Sequence, residues 1–101
     1  MSEARPWFVY IARCGDDSLY TGIALDVAAR IASHNAGRGA RYTRGRAPIT
    51  VCAKRRCASQ GDALRLEIAL KRLSRAEKER LTVGRRLAVF ARSLLRGSGA
   101  P

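Results

Sequence analysis

An α/β (α+β) domain, built on a small three-stranded, mainly antiparallel sheet flanked by helices, is predicted by three features of this sequence. Two short β-type runs surround a dense turn cluster in the first 23 residues. A third alternating run follows Pro48, and helical spacing bounded by capping residues fills the remaining intervals. With 101 residues, 47% of them hydrophobic, the chain suits one domain around one core. Residues 1–84 are assigned to that domain and 85–101 to a C-terminal helix and flexible tail.

Trp7 to Arg13 is rich in β-branched and aromatic side chains, and Gly15-Asp16-Asp17-Ser18 then supplies turn formers. Leu19-Tyr20-Thr21-Gly22-Ile23 returns as a second strand, so a hairpin sets Tyr10 and Tyr20 on neighbouring strands. Asp26 caps a helix reaching about Asn35, in which Val27 and Ile31 form an apolar i, i+4 pair; Arg30 and His34 share the adjoining face. Gly37 to Arg46 carries three glycines with Arg38, Arg41, Arg44 and Arg46 and no acid, which is loop composition of one charge sign. Ile49 to Arg56 reads as the third strand, with Ile49, Val51 and Ala53 on one face. Ser59-Gln60-Gly61-Asp62 has capping-box spacing, and Ala63, Leu66, Ala69, Leu70 and Leu73 continue a helix to about Arg72. Ser74-Arg75-Ala76-Glu77 repeats the box for a short helix ending near Gly84. Leu87 to Leu95 forms a last helix before the Gly97-Ser98-Gly99 tail frays.

Twenty basic residues against eight acidic ones give a net charge of +12, and 17 of the 20 are arginine, whose fork matches phosphate oxygens in pairs. Between Asp26 and Asp62 there is no carboxylate and there are eight basic residues, so positive potential concentrates on that interval. A nucleic-acid or other phosphate-bearing partner follows, with Arg38, Arg41, Arg44 and Arg46 as phosphate contacts. No stretch approaches the roughly 20 apolar residues of a membrane span, and Trp7 to Ala12 is too short for a signal-peptide core. A soluble, cytoplasmic chain without a membrane partner is expected. Cys14, Cys52 and Cys57 lack zinc-site spacing and read as reduced, small apolar residues.

Val9-Tyr10-Ile11, then Tyr20-Thr21-Gly22, Arg30 and His34 in order, with Glu67 in the later helix, resemble the GIY-YIG nuclease module. The resemblance covers roughly residues 6 to 80. It is strongest to small stand-alone GIY-YIG proteins, which share the Tyr-Thr-Gly-Ile stretch at Tyr20, Arg-Tyr-Thr-Arg-Gly-Arg at Arg41 and Lys-Arg-Leu-Ser-Arg at Lys71. It implies a metal-dependent endonuclease acting on DNA in repair or processing. Glu67 would bind one Mg²⁺ or Mn²⁺ ion, Tyr10 and Tyr20 would surround the attacking water, and Arg30 would sit at the scissile phosphate. Two departures from the family pattern are Ile23, where some relatives have a lysine, and the lack of a clear counterpart to a late asparagine.

Chemistry supports the same roles. Hydrolysis of a phosphodiester needs an activated water, a cation on the departing oxygen and positive charge on the non-bridging oxygens. Glu67 is a hard oxygen ligand, and Mg²⁺ can be held by one carboxylate plus water and substrate phosphate. Arg30 supplies a permanent charge. A phenol near pKa 10 is a poor base unless cations lower it, and the positive background pushes that way. His34 either relays a tyrosine's proton or touches the phosphate. Gly22 marks a bend in the strand or a place where phosphate approaches bare backbone. Tyr42 either stacks on a base or packs under its own loop. Lys71 contacts nucleic acid or forms an ordinary i, i+4 pair with Glu67. A nucleic-acid-binding module without cleavage, or one needing a protein partner, is the alternative function, and an RNA-associated basic protein with packed tyrosines is a third. Without an appended DNA-reading element, specificity would come from nucleic-acid shape or from another protein.

Overall fold

The computed structural model describes residues 6–99. Its elements run β1 (Trp7–Arg13), β2 (Leu19–Ala24), α1 (Val27–Asn35), a 3-10 turn (Arg41–Thr43), β3 (Thr50–Cys57), α2 (Gln60–Lys71), α3 (Arg75–Leu81) and α4 (Arg86–Gly99). The sheet order is β2-β1-β3, antiparallel throughout. The hairpin register pairs Tyr10 with Gly22 and Ala12 with Tyr20. Its turn is held by Asp16, whose Oδ1 accepts from the Ser18 N–H at 3.1 Å and the Ser18 hydroxyl at 2.6 Å. Asp17 takes the left-handed conformation, φ 71°, that a short polar residue tolerates there.

Helices cover both faces of the sheet. Val9, Ile11 and Leu19 pack with Ala63, Leu66 and Leu70 of α2 and Leu87 and Ala91 of α4. On the other face Tyr10, Ala12 and Ala24 pack with Val27 of α1 and with Ile49. Fully burying Leu66 and Leu70 contributes about 1.5–3 kcal/mol each. The expected single face for Ile49, Val51 and Ala53 is corrected by a bulge: Ile11 pairs with Ala53 but Ala12 with Val51, leaving Cys52 as the extra residue. Because side chains alternate with period two, the insertion flips parity. Ile49 and Val51 therefore join Tyr10, while Ala53 joins Val9.

The caps form as their residues dictate. Asp26 accepts from the Ala29 N–H at 3.0 Å, and Ser59 from the Asp62 N–H at 3.1 Å. Ser74 and Glu77 complete a reciprocal capping box at 3.1 and 2.8 Å. α3 is tied to the hairpin by Arg13, whose guanidinium donates in bidentate fashion to Glu79 at 2.7 and 3.0 Å. Arg13 and Arg75 hold the Glu79 carboxyl down at about 2. Helix α4 runs through Gly99, past the Leu95 end expected from the sequence. Phe90, Leu94 and Leu95 pack on the core and anchor α4 along its length, outweighing the poor helix propensity of glycine. The final Ala100 and Pro101 of the expected tail lie outside the described residues.

Thr21 is 3% exposed, and its Oγ1 is a buried side-chain oxygen without a hydrogen-bond partner among the described residues. Replacing it by an apolar group of the same shape removes that desolvation cost. Thr21→Val is expected to stabilise the fold by about 1 kcal/mol, read as a raised Tm in thermal melts.

Candidate functional site

Strand alternation turns Tyr10 toward α1, and the register sets Gly22 beside it. A Cβ at Gly22 would fall 2.6 Å from the Tyr10 Oη and 2.8 Å from its Cζ, so the phenol lies across bare backbone. Gly22 is expected to mark a strand bend or to let phosphate approach bare backbone; it is buried, and the space it frees is filled by the Tyr10 ring. The phenol reaches the last turn of α1, where its hydroxyl stands 3.0 Å from Nε2 of His34. Tyr10 is fully buried and His34 is 1% exposed. Tyr20 completes an aromatic cluster, with ring centroids 6.2 Å from Tyr10 and 5.2 Å from His34.

The far side of the imidazole is held by the loop after α1. Thr43 Oγ1 lies 2.7 Å from Nδ1 and 2.8 Å from the Ala40 carbonyl oxygen. The Ala40 N–H donates to Nδ1 at 3.2 Å. A backbone N–H can only donate, so Nδ1 is the accepting nitrogen of the neutral ring, and Nε2 carries the hydrogen that it donates to the Tyr10 oxygen. Gly39 makes the fit sterically possible, since a Cβ there would overlap the His34 ring. Sequence reasoning missed Thr43 and Gly39 as site residues. Their signal was local: both belong to a glycine-rich loop that begins two residues beyond the helix stop, close enough to fold back on His34.

Electrostatics correct a second expectation. Burial, reinforced by the neighbouring Tyr20, pushes the Tyr10 phenol up to about 12, although the Arg30 charge opposes it. The cationic background does not lower this phenol. Burial and then the Arg30 charge push His34 below its usual range, so both partners are neutral at neutral pH.

Arg30 is exposed on α1 and lines a cleft of about 430 Å³ with Trp7, Ile23, Leu25, Asp26 and Ser33. The Glu67 charge acts on Tyr10, raising its pKa as the last of the contributing causes. Its side chain is 18% exposed, with Lys71 Nζ at 3.3 Å, so the i, i+4 pair forms. The described residues contain no group of three or more His, Cys, Asp or Glu able to hold an ion. A lone, partly accessible carboxylate fits Mg²⁺ that keeps its waters and borrows substrate oxygens, and does not fit an all-protein cage. Tyr42 stacks on Tyr20, 5.8 Å between centroids at 24°, while remaining 42% exposed. The Arg46 guanidinium sits 4.2 Å over the Tyr42 ring, donates through Nε to the Tyr42 carbonyl at 2.7 Å and pairs with Asp16, so its charge is already engaged within the loop. Arg38, Arg41 and Arg44 are exposed and make no ion pair among the described residues. No described helix is long and apolar enough to cross a membrane.

The GIY-YIG catalytic domain family matches residues 6–80. A UPF0213 protein of Cupriavidus pinatubonensis is 47% identical over 77% of this chain and 87% of its own length. A UPF0213 protein of Halobacterium salinarum is 49% identical over 72% of this chain and 95% of its own. Among solved structures, the chain is similar to an E. faecalis protein determined by solution NMR, at 28% identity and a TM-score of 0.53, covering 80% of this chain and 88% of that one.

Gly22→Ala drives a methyl group into the Tyr10 phenol and is expected to cost about 1–3 kcal/mol in denaturant unfolding. The neutral His34 also has a stability signature. The unfolded chain takes up a proton at the ordinary value of 6.5 and the folded chain only at lower pH, so stability falls as pH drops below 6.5. His34→Gln should flatten that part of the pH profile, as measured by urea unfolding at a series of pH values.

Proposed function

The chain belongs to the GIY-YIG catalytic domain family, and on that premise we propose that it is a metal-dependent endonuclease hydrolysing phosphodiester bonds of DNA. The observation that carries the reading is the buried Tyr10–His34 contact of 3.0 Å, backed by Thr43. The imidazole N–H fixes the Tyr10 oxygen in place and leaves the hydroxyl hydrogen free to orient a group drawn into the site.

In the hydrolysis, the water oxygen forms a new bond to phosphorus, the bond to the departing sugar oxygen breaks, and the water proton must leave. A free Tyr10 phenolate is scarcely populated at neutral pH with a pKa of about 12. Tyr10 acts instead as a neutral hydroxyl: Nε2–H of His34 fixes its oxygen, with Nδ1 held by the Ala40 N–H, so that the phenol orients the attacking water and the water proton leaves to solvent. Arg30, exposed on α1 and near enough to Tyr10 to oppose its shift, places a permanent fork on the non-bridging oxygens, where negative charge grows. Glu67 would hold a divalent ion, Mg²⁺ or Mn²⁺, whose charge would offset the negative charge that develops in the transition state. Arg38, Arg41 and Arg44 grip flanking phosphates, and the Tyr20–Tyr42 stack walls the entrance. Recognition by nucleic-acid shape, in DNA repair or processing, is the setting of this reading.

The test incubates the protein with labelled flap, branched, single-stranded and duplex DNA and the matching RNAs, with Mg²⁺ or Mn²⁺ and then with chelator. Chelator-sensitive nicking of DNA is expected. Glu67→Gln should lower cleavage on the order of 10²-fold or more with binding nearly intact. Arg30→Ala should lower turnover about 10²-fold, against a few-fold change in affinity for Arg44→Ala. Retention of strands without any product would assign a binding module instead.

A further inference from the structure

Helix α4 presents two opposed faces. Leu87 and Ala91 are buried in the core, and Phe90, Leu94 and Leu95 pack against it. Arg85, just before the helix, Arg92 and Arg96 follow at intervals of seven and four residues and are exposed. At 100° per residue the three lie within about 40° of one another, diametrically opposite Leu87 and Leu94, along a line of roughly 16 Å.

No ion pair compensates this line among the described residues. Residues 80–101 hold five arginines and no Asp or Glu. Arg85, Arg86, Arg92 and Arg96 make no ion pair among the described residues. The pattern also opposes helix stability. α2 and α3 carry Asp62 and Glu77 in their first turns, where a carboxylate favours the helix dipole, whereas α4 begins on Arg86 with no acid in its first turn. Arg92 and Arg96 are a like-charged i, i+4 pair. A bound polyanion turns both penalties into attraction.

We infer that the Arg85–Arg92–Arg96 line is a docking surface for the phosphodiester backbone of a nucleic acid, across the sheet from the Tyr10 cluster and beyond the residues of the family match. It rests on the reading that the chain acts on DNA, and adds where it grips. The fit is one of charge and fork geometry: arginine pairs with phosphate oxygens in bidentate fashion, and three contacts along one helix follow a strand without reading bases. An anionic membrane fits less well, because the apolar face of α4 is already spent on the core and the outward stripe adds only Val89, 60% exposed.

The test measures binding of an unmodified duplex to the full chain by fluorescence anisotropy, with chelator present and salt varied. Wild type is compared with Arg85→Gln/Arg92→Gln/Arg96→Gln and with the matching triple lysine variant. The slope of log K against log salt should be shallower by about 2.7 in the glutamine triple, so that wild type loses about 40-fold more affinity between ~50 and ~200 mM salt. The lysine triple should keep the wild-type slope. If the glutamine triple fails a circular-dichroism check of its fold, Arg92→Gln alone should lose a slope of about 0.9. Slopes equal to wild type overturn the inference, as does wild type that fails to bind DNA. So does loss confined to phosphatidylserine vesicles, which assigns the stripe to lipid. Altered slope without any cleavage by wild type leaves the docking surface standing and removes the nuclease reading; cleavage with unaltered slope removes only the docking surface.

Discussion

Burying the Tyr10 hydroxyl is the constraint on which the site depends. A phenol oxygen taken out of water must find a partner or lose the full desolvation cost. This one finds His34, 3.0 Å away. The contact requires bare backbone at Gly22 for the ring to cross, and it requires the last turn of α1 to dock over the hairpin. Burial of His34 then poses the same problem at Nδ1, which the loop solves by folding Thr43 and Gly39 onto the ring. One buried hydroxyl thus fixes a glycine on β2, the placement of a helix and the path of a loop.

The same burial decides the site's electrostatics. A net charge of +12 suggests phenols that ionise easily, yet Tyr10 is pushed to about 12. Desolvation acts on the group directly, whereas most of the cationic charge lies on the surface, where salt screens it within about 8–10 Å. Arg30 opposes that shift and does not outweigh burial. The excess of arginine is therefore better matched to a polyanion outside the protein than to tuning groups inside it.

The C-terminal helix shows how one segment serves both purposes. Its inner seam closes the core over β1 and α2. Its outer line carries charge that the fold itself does not use. Residues selected for stability alone would place a carboxylate at its N-terminus, as α2 and α3 do.

Much of this architecture was legible from sequence because it is local. Asp26, Ser59 and Ser74 cap the helices they precede, the Asp16 turn makes the hairpin, and the order Tyr10, Tyr20, Arg30, His34, Glu67 marked the family before any geometry was known. These signals need only near neighbours and fixed periods. The bulge at Cys52, the purpose of Gly22, the grip of Thr43 on His34 and the direction of the Tyr10 shift were not legible. Each depends on which atoms meet across strands or are shut away from water, and neither spacing nor net charge encodes that. The sequence by itself determined the elements, their order and the residues available for chemistry. Only packing decided which of them touch, because close contact and desolvation are properties of the assembled interior and not of any stretch of chain.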